Sequence, residues 1–221
     1  MDTTIATIAM SAATEERPAV SRRPVHTRQI VCVGYLRDDG LFDIEARLVD
    51  TRSGHSRLLF KDVPAGGAIH EMRLVVTVDT DLVIRGVDAH TDTGPTPYCA
   101  QINAAYARLV GVAFAGGFMK EVKARLGGAQ GCAHLTELLR PIATTAFQTR
   151  MAMLSAGRAG SGKPTASDDA HVSAMRNTCH AWREGGEVMQ HVRRASASAQ
   201  PDANADAARD ARDGAPASGP G

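Results

Sequence analysis

The sequence predicts an α+β fold: an antiparallel β-sheet of about four strands plus a C-terminal hairpin, with about three helices packed on one face. Three observations lead there. Within Phe42–Leu48 apolar and polar residues alternate at period two, and between Ile102 and Phe147 apolar residues recur at three and four. The two regimes also follow one another instead of interleaving, which is the pattern of strands first and helices after, not of a parallel βαβ sheet.

Taken in order, Gln29 to Leu36 reads as the first strand. Phe42, Ile44, Ala46 and Leu48 alternate with Asp43, Glu45 and Arg47, which describes a half-buried antiparallel second strand. Asp39-Gly40 lies between them and accepts the positive φ of a hairpin turn, so the two strands pair directly. Met72, Leu74, Val76 and Val78 form a third strand, and the turn Asp79-Thr80-Asp81 leads to a fourth from Val83 to His90. Ile102, Ala105, Tyr106, Leu109 and Val112 then mark a helix, Phe118 to Leu126 a shorter one, and Leu135 to Phe147 a long one that carries Pro141 as a kink. Met175–Trp182 and Glu187–Val192, joined at Gly185-Gly186, read as a hairpin docking on the main sheet through Trp182.

Composition sets the boundaries between these parts. Residues 1–23 lack a sustained period and read as a disordered leader; residues 24–154 are the α+β core domain. Residues 155–170 hold no large apolar side chain and form a flexible linker, residues 171–192 are the hairpin, and the Ala-rich residues 193–221 are a disordered tail. Lys and Arg number 25 against 24 Asp and Glu, a net charge of +1, so no overall field draws the chain to nucleic acid or to an anionic membrane. No apolar run approaches the roughly 18 residues of a spanning helix. The expectation is a cytoplasmic protein whose partner is a client protein. Four cysteines in a chain this long are too few for a disulfide framework and serve as core thiols, ligands or nucleophiles.

No nucleotide is expected. Gly157 to Thr165 contains a Gly, four residues and Gly-Lys, but Pro164 occupies the place where a Ser or Thr must hold Mg²⁺.

The chemistry-bearing residues fall at element ends. In Gly131-Cys132-Ala133-His134-Leu135, glycines lead into a helix whose first turn carries a thiol and an imidazole, where unpaired amides and the helix dipole stabilise a thiolate. Cys99 repeats that arrangement after Pro95, Pro97 and Tyr98. His70 opens the third strand and Asp92 follows the fourth, both at the sheet end from which loops leave. If the loops converge, His70, Cys99, Cys132 and His134 make a two-sulfur, two-nitrogen set suited to Zn²⁺ or an iron centre, with Cys179 and Asp92 in reserve. Cys32 alternates with Ile30 and packs. Two other readings stay open. One is a small cysteine-dependent transferase or hydrolase, with Cys132 as nucleophile, His134 or His70 as base and Asp92 as orienter. The other is a non-catalytic accessory domain that binds a ligand or partner.

The blocks Arg37–Glu45, Ile69–Leu74, Gly131–Leu135 and Thr178–Ala181 resemble a bacterial domain-of-unknown-function family over about Val25 to Val192, a likeness that implies no activity. The stretch Met72 to Phe147 is also similar in order to U-type iron-sulfur cluster assembly scaffolds: two strands, a thiol entering a helix, a middle helical stretch, and a second thiol entering the last helix. That resemblance implies Cys99 and Cys132 as cluster thiols, Leu135 at the family's leucine, an iron-sulfur centre and a client enzyme. Ala68 stands where the family has a further Cys, and His70 where it has an acidic residue.

Overall fold

Two eleven-residue strands, β1 (His26–Leu36) and β2 (Phe42–Arg52), face each other across a tight turn. In that turn Gly40 takes φ +82°, a left-handed value that glycine adopts without strain. The hairpin opens a computed structural model of the chain, which describes residues 20–156 and 172–198. A two-residue ladder, β3 (Ser56–Arg57) with β4 (Asp62–Val63), precedes β5 (Ala68–Val78) and β6 (Ile84–Thr93). The main sheet has the order β1-β2-β5-β6, every pair antiparallel, as the two-residue alternation requires. The strands run longer than their apolar stretches because polar residues continue the ladder at both ends.

Register aligns side chains into rows across β1, β2 and β5. These are Leu36–Phe42–Val78, Gly34–Ile44–Val76, Cys32–Ala46–Leu74, Ile30–Leu48–Met72 and, last, Arg28–Asp50–His70. The first four rows build the core: Phe42, Ile44, Leu48, Met72, Leu74 and Val76 are buried. The helix α2 (Ala133–Ala156) lies on this face and contributes Leu135, Leu138, Leu139, Ile142 and Ala146, all fully buried. It runs through Pro141 without interruption.

α2 tracks β1. Glu137 meets Arg28 near one end, and Thr149 lies under Gly34 at the other. The six residues of strand and twelve of helix between these contacts each span about 18–20 Å, so the two elements stay in step. At Gly34 the two elements approach too closely for a side chain, since a Cβ there would lie 1.9 Å from Thr149 Oγ1. Gly34→Ala is expected to destabilise by about 1–3 kcal/mol in chemical denaturation, with Thr149→Ala restoring most of the loss.

The segment expected as an α-helix from Ile102 to Val112 is instead a 3₁₀ helix, Cys99–Leu109. Its inward side chains recur at three: Tyr106 and Leu109 are buried, and Asn103 accepts a hydrogen bond from Thr91 Oγ1 at 2.9 Å. A spacing of three places those residues directly above one another in a 3₁₀ turn, whereas in an α-helix it drifts by about 60° at each step. The helix α1 (Phe118–Leu126) has the predicted bounds.

The chain divides into two units, residues 1–149 and 150–221. In the second, the expected hairpin over 171–192 is absent. Residues 172–175 are helical, 176–185 form successive turns, and Glu187–Ser198 is a helix, α3. Val188, Met189 and Val192 share one helical face at spacings of one and four, and Glu187 sits favourably in the first turn, so helical periodicity prevails over the short alternation. Trp182 is half-buried among the turns, its carbonyl accepting from Asn177 N at 2.9 Å. The expected tail from residue 193 is helical as far as Ser198. The rest of the tail, most of the leader and linker, and the Gly157–Thr165 motif lie outside the described residues. Among the described residues no helix is long and apolar enough to cross a membrane.

Candidate metal centre

The site is the fifth row of the sheet. Asp50 continues the inward parity of Phe42, Ile44, Ala46 and Leu48, so its carboxylate enters the core instead of leaving it, and its exposure is 0%. Asp50 stands between Arg28 and His70 in unbroken register with the core rows, and the shift that skips one residue of β5 comes just beyond it, between Asp50 and Thr51.

Four contacts fill the carboxylate's lone-pair positions. Oδ1 accepts from Arg28 Nε at 2.7 Å and pairs with His26 Nε2 at 3.2 Å. Oδ2 accepts from Arg28 Nη2 at 2.6 Å and pairs with His70 Nδ1 at 3.0 Å. The guanidinium therefore grips Asp50 in the two-pronged geometry that arginine's planar fork favours, and its remaining Nη1 pairs with Glu137. His134, from the first turn of α2, closes the row from above. Its Nε2 lies 3.7 Å from Asp50 Oδ2, and its ring stacks on that of His70 with centroids 3.7 Å apart and planes at 29°.

Electrostatics fix the protonation of this group. Burial would raise the Asp50 pKa, but the hydrogen bonds and charge of Arg28, followed by His26 and His70, outweigh it and hold the carboxyl at about 2. His70 is pushed below the usual histidine range by burial and then by His134; His134 is pushed down by burial and then by Arg28. At neutral pH the site holds an ionised carboxylate beside two neutral imidazoles.

The depressed imidazoles have a consequence for stability. The folded chain keeps them neutral where the unfolded chain, with histidines near 6.5, takes up protons. Their contribution is full above about pH 6.5 and is lost as pH falls through the lower folded values. Melting temperature is expected to fall between pH 7 and pH 5, and His70→Gln with His134→Gln to flatten that slope.

Of the residues singled out in the sequence, His70 and His134 come together here. Cys132 caps α2: its carbonyl accepts from Thr136 N at 2.9 Å, and its own N–H donates to Tyr106 Oη at 3.1 Å. Its Sγ lies 4.0 Å from His134 Nδ1, the ring nitrogen opposite the one nearest Asp50. Cys132 also lines a largely apolar groove of about 290 Å³ with Met119, Val122 and Leu126. Cys99 pairs with Thr96 Oγ1 at 3.2 Å and packs against Gly94. Asp92 lies within β6, not on the loop after it, and is held by Arg73 at 2.6 and 3.0 Å. Cys179 is exposed, in the turns of the second unit instead of mid-strand. Cys32 is half-buried, and burial pushes its thiol upward in pKa.

Among the described residues, the group of three or more side chains able to hold a metal ion is Asp50, His70 and His134. Neither Cys99 nor Cys132 joins it, so the set brought together carries two nitrogens and an oxygen in place of two nitrogens and two sulfurs. Sequence reasoning passed over Asp50, Arg28 and His26. Its available signal was parity: a carboxylate two residues beyond Leu48 stands on the buried face of its strand, a placement that demands partners.

Comparison with curated proteins and with solved structures finds no match, iron-sulfur assembly scaffolds included. A family described as a protein of unknown function, DUF2889, matches residues 26–148, from the first residue of β1 well into α2. The match takes in His26, Arg28, Asp50, His70 and His134 and covers more than half of the sequence, and the chain belongs to that family.

Proposed function

We propose that the domain binds one divalent transition-metal ion, Zn²⁺ or Fe²⁺, through Asp50 Oδ2, His70 Nδ1 and His134 Nε2. The observation that carries this reading is the convergence of one ligand atom from each side chain, all within 4.8 Å of one another. Bonds of about 2.0–2.2 Å place tetrahedral ligands roughly 3.3–3.6 Å apart. The two separations from Asp50 Oδ2, 3.0 Å to His70 and 3.7 Å to His134, bracket that range. The protonation states support it as well, because a metal takes neutral imidazoles and an ionised carboxylate.

An ion here would take the place of the hydrogen between His70 Nδ1 and Asp50, the proton moving to His70 Nε2 so that the ring stays neutral, while Arg28 continues to orient the carboxylate from Oδ1. Rotation of the two rings out of their stack aims both nitrogens at the ion. Two histidines and one carboxylate leave coordination positions open for water or a substrate. Nitrogen and oxygen ligands suit a single ion better than an iron-sulfur cluster, which is held by thiolates.

The test is isothermal titration of Zn²⁺ into untagged, chelator-treated protein, with metal analysis of the product. One ion per chain is expected, with affinity falling at least tenfold in His134→Gln and in His70→Gln. Absence of binding, or binding unchanged in both variants, overturns the reading.

A second reading rests on His134 lying between Cys132 and Asp50, at 4.0 and 3.7 Å, the order of a thiol, base and orienting carboxylate with Asp50 in the role expected of Asp92. Both separations exceed the roughly 2.6–3.2 Å of a working acid–base contact, which is why the metal reading is preferred. Iodoacetamide labelling of Cys132 in metal-free protein discriminates: a rate unchanged by His134→Gln removes the relay.

A further inference from the structure

The two edges of the sheet are built differently. β6 breaks register with β5 twice, carries Arg85, Asp88, His90 and Asp92, and packs against the 3₁₀ helix. Bulges, charge and a covering element are the devices that keep an edge from recruiting another strand. β1 has no bulge, and its one formal charge, on Arg28, is committed to Asp50 and Glu137. Its eleven residues pair with β2 without a register shift and include neither proline nor lysine. Among the described residues no strand pairs with its outer side.

The side chains point the same way. Val31, Val33 and Tyr35 share the outward face of β1 and are 39, 41 and 46% exposed, an apolar stripe on the edge strand, and Leu36 at the end of an inward row is 58% exposed. Even the inward-facing Ile30 and Cys32 are only half-buried, whereas their β2 neighbours Leu48 and Ala46 are buried.

We infer that β1 pairs antiparallel with β1 of a second copy of this chain, about a twofold axis at Val31, joining the two sheets into one of eight strands. An antiparallel edge is complementary to itself, and His26–Leu36 has Val31 at its centre, so this register pairs the strand over its whole length. It sets Leu36 of one copy opposite His26 of the other, and Gly34 opposite Arg28, where the absence of a side chain leaves the guanidinium undisturbed. Eleven residues extend about 36 Å, and the sheet layer of about 10 Å with α2 of about 10 Å lying along β1 presents a side of roughly 700 Å² per copy, close to the ~800 Å² per partner of a specific interface. Because β1 bears His26 and Arg28, the pairing also covers the open side of the Asp50 row. The inference stands whether or not a metal binds there.

Sedimentation of the full chain tests it, with an expected mass near twice 23.3 kDa. Val31→Lys with Val33→Lys is expected to halve that mass while leaving the circular dichroism unchanged, since both positions are exposed. The register is tested by disulfide trapping. In a Cys179→Ser background, which removes the exposed native thiol, Val31→Cys meets its own copy at a Cα separation of about 4.5–5.5 Å, within disulfide reach, and forms a dimer on mild oxidation that the background alone and its Tyr35→Cys variant do not form. A wild-type mass of one chain, a dimer that survives the double lysine variant, or crosslinking of Tyr35→Cys in place of Val31→Cys overturns the proposal. So does a monomer with β1 amides protected from exchange, which would assign the edge to residues 1–19 of the same chain.

Discussion

Asp50→Asn is expected to lower the unfolding free energy by about 3–5 kcal/mol, measured by urea denaturation at pH 7. The amide retains the shape of the carboxylate but not its charge, so the Arg28 guanidinium loses its two-pronged counterion in the core row and keeps only the more exposed Glu137. It also offers one oxygen where four donors now converge on two. The pH dependence provides a second readout. Asp50 titrates at about 2 when folded and near its ordinary 3.8 when unfolded, so its contribution is present above about pH 4 and is lost as pH falls through 2. That acid-limb slope should shrink in Asp50→Asn. Arg28→Met combined with Asp50→Leu removes both charges and fills the row with hydrocarbon; it should recover much of the stability while binding no metal. A double variant as unstable as Asp50→Asn would show that the loss came from packing, not from the stranded charge.

Leu48→Ala is expected to cost about 2–5 kcal/mol. Leu48 is 0% exposed, between Ile30 and Met72 in the row directly beneath Asp50, so truncation opens a cavity at the floor of the site. Its own strand β2 is paired on both sides, by β1 and β5, which limits collapse into the cavity. Leu59→Ala removes the same atoms from a side chain that is 89% exposed and should change stability by less than about 0.5 kcal/mol. The contrast separates burial from leucine chemistry. Equal losses at the two positions would contradict the placement of the core.

Both variants test the same boundary, where the apolar rows of the sheet give way to a charged one. The strands were legible because burial on one face imposes a period of two, and the rows built from Phe42 to Leu48 and from Met72 to Val78 match the alternation in the sequence. α1 was legible to the residue. The 3₁₀ helix was not, because Tyr106 and Leu109 fit a spacing of three as readily as the three-and-four pattern of an α-helix; Tyr106 Oη, bonded at 2.8 Å to both the Cys132 carbonyl and Thr136, supplies the tertiary anchor. α3 was misread because Gly185-Gly186 is as good an entry to a helix as it is a hairpin turn.

By itself the sequence determined the fold class, the four-stranded order of alternation, the placement of a thiol and an imidazole at the start of α2, and the presence of His70 at the mouth of β5. Those are local properties, set by side-chain periodicity and by which residues tolerate a turn or a helix end. Only the tertiary structure decided which of the candidates share a site. Ligand atoms meet through register and through the path of α2 along β1, and these depend on pairings between residues 20 to 109 positions apart. Asp50 reads as one more polar residue in a chain with 24 acids until strand parity turns it inward, where a carboxylate persists only in the company of Arg28 and the histidines around it.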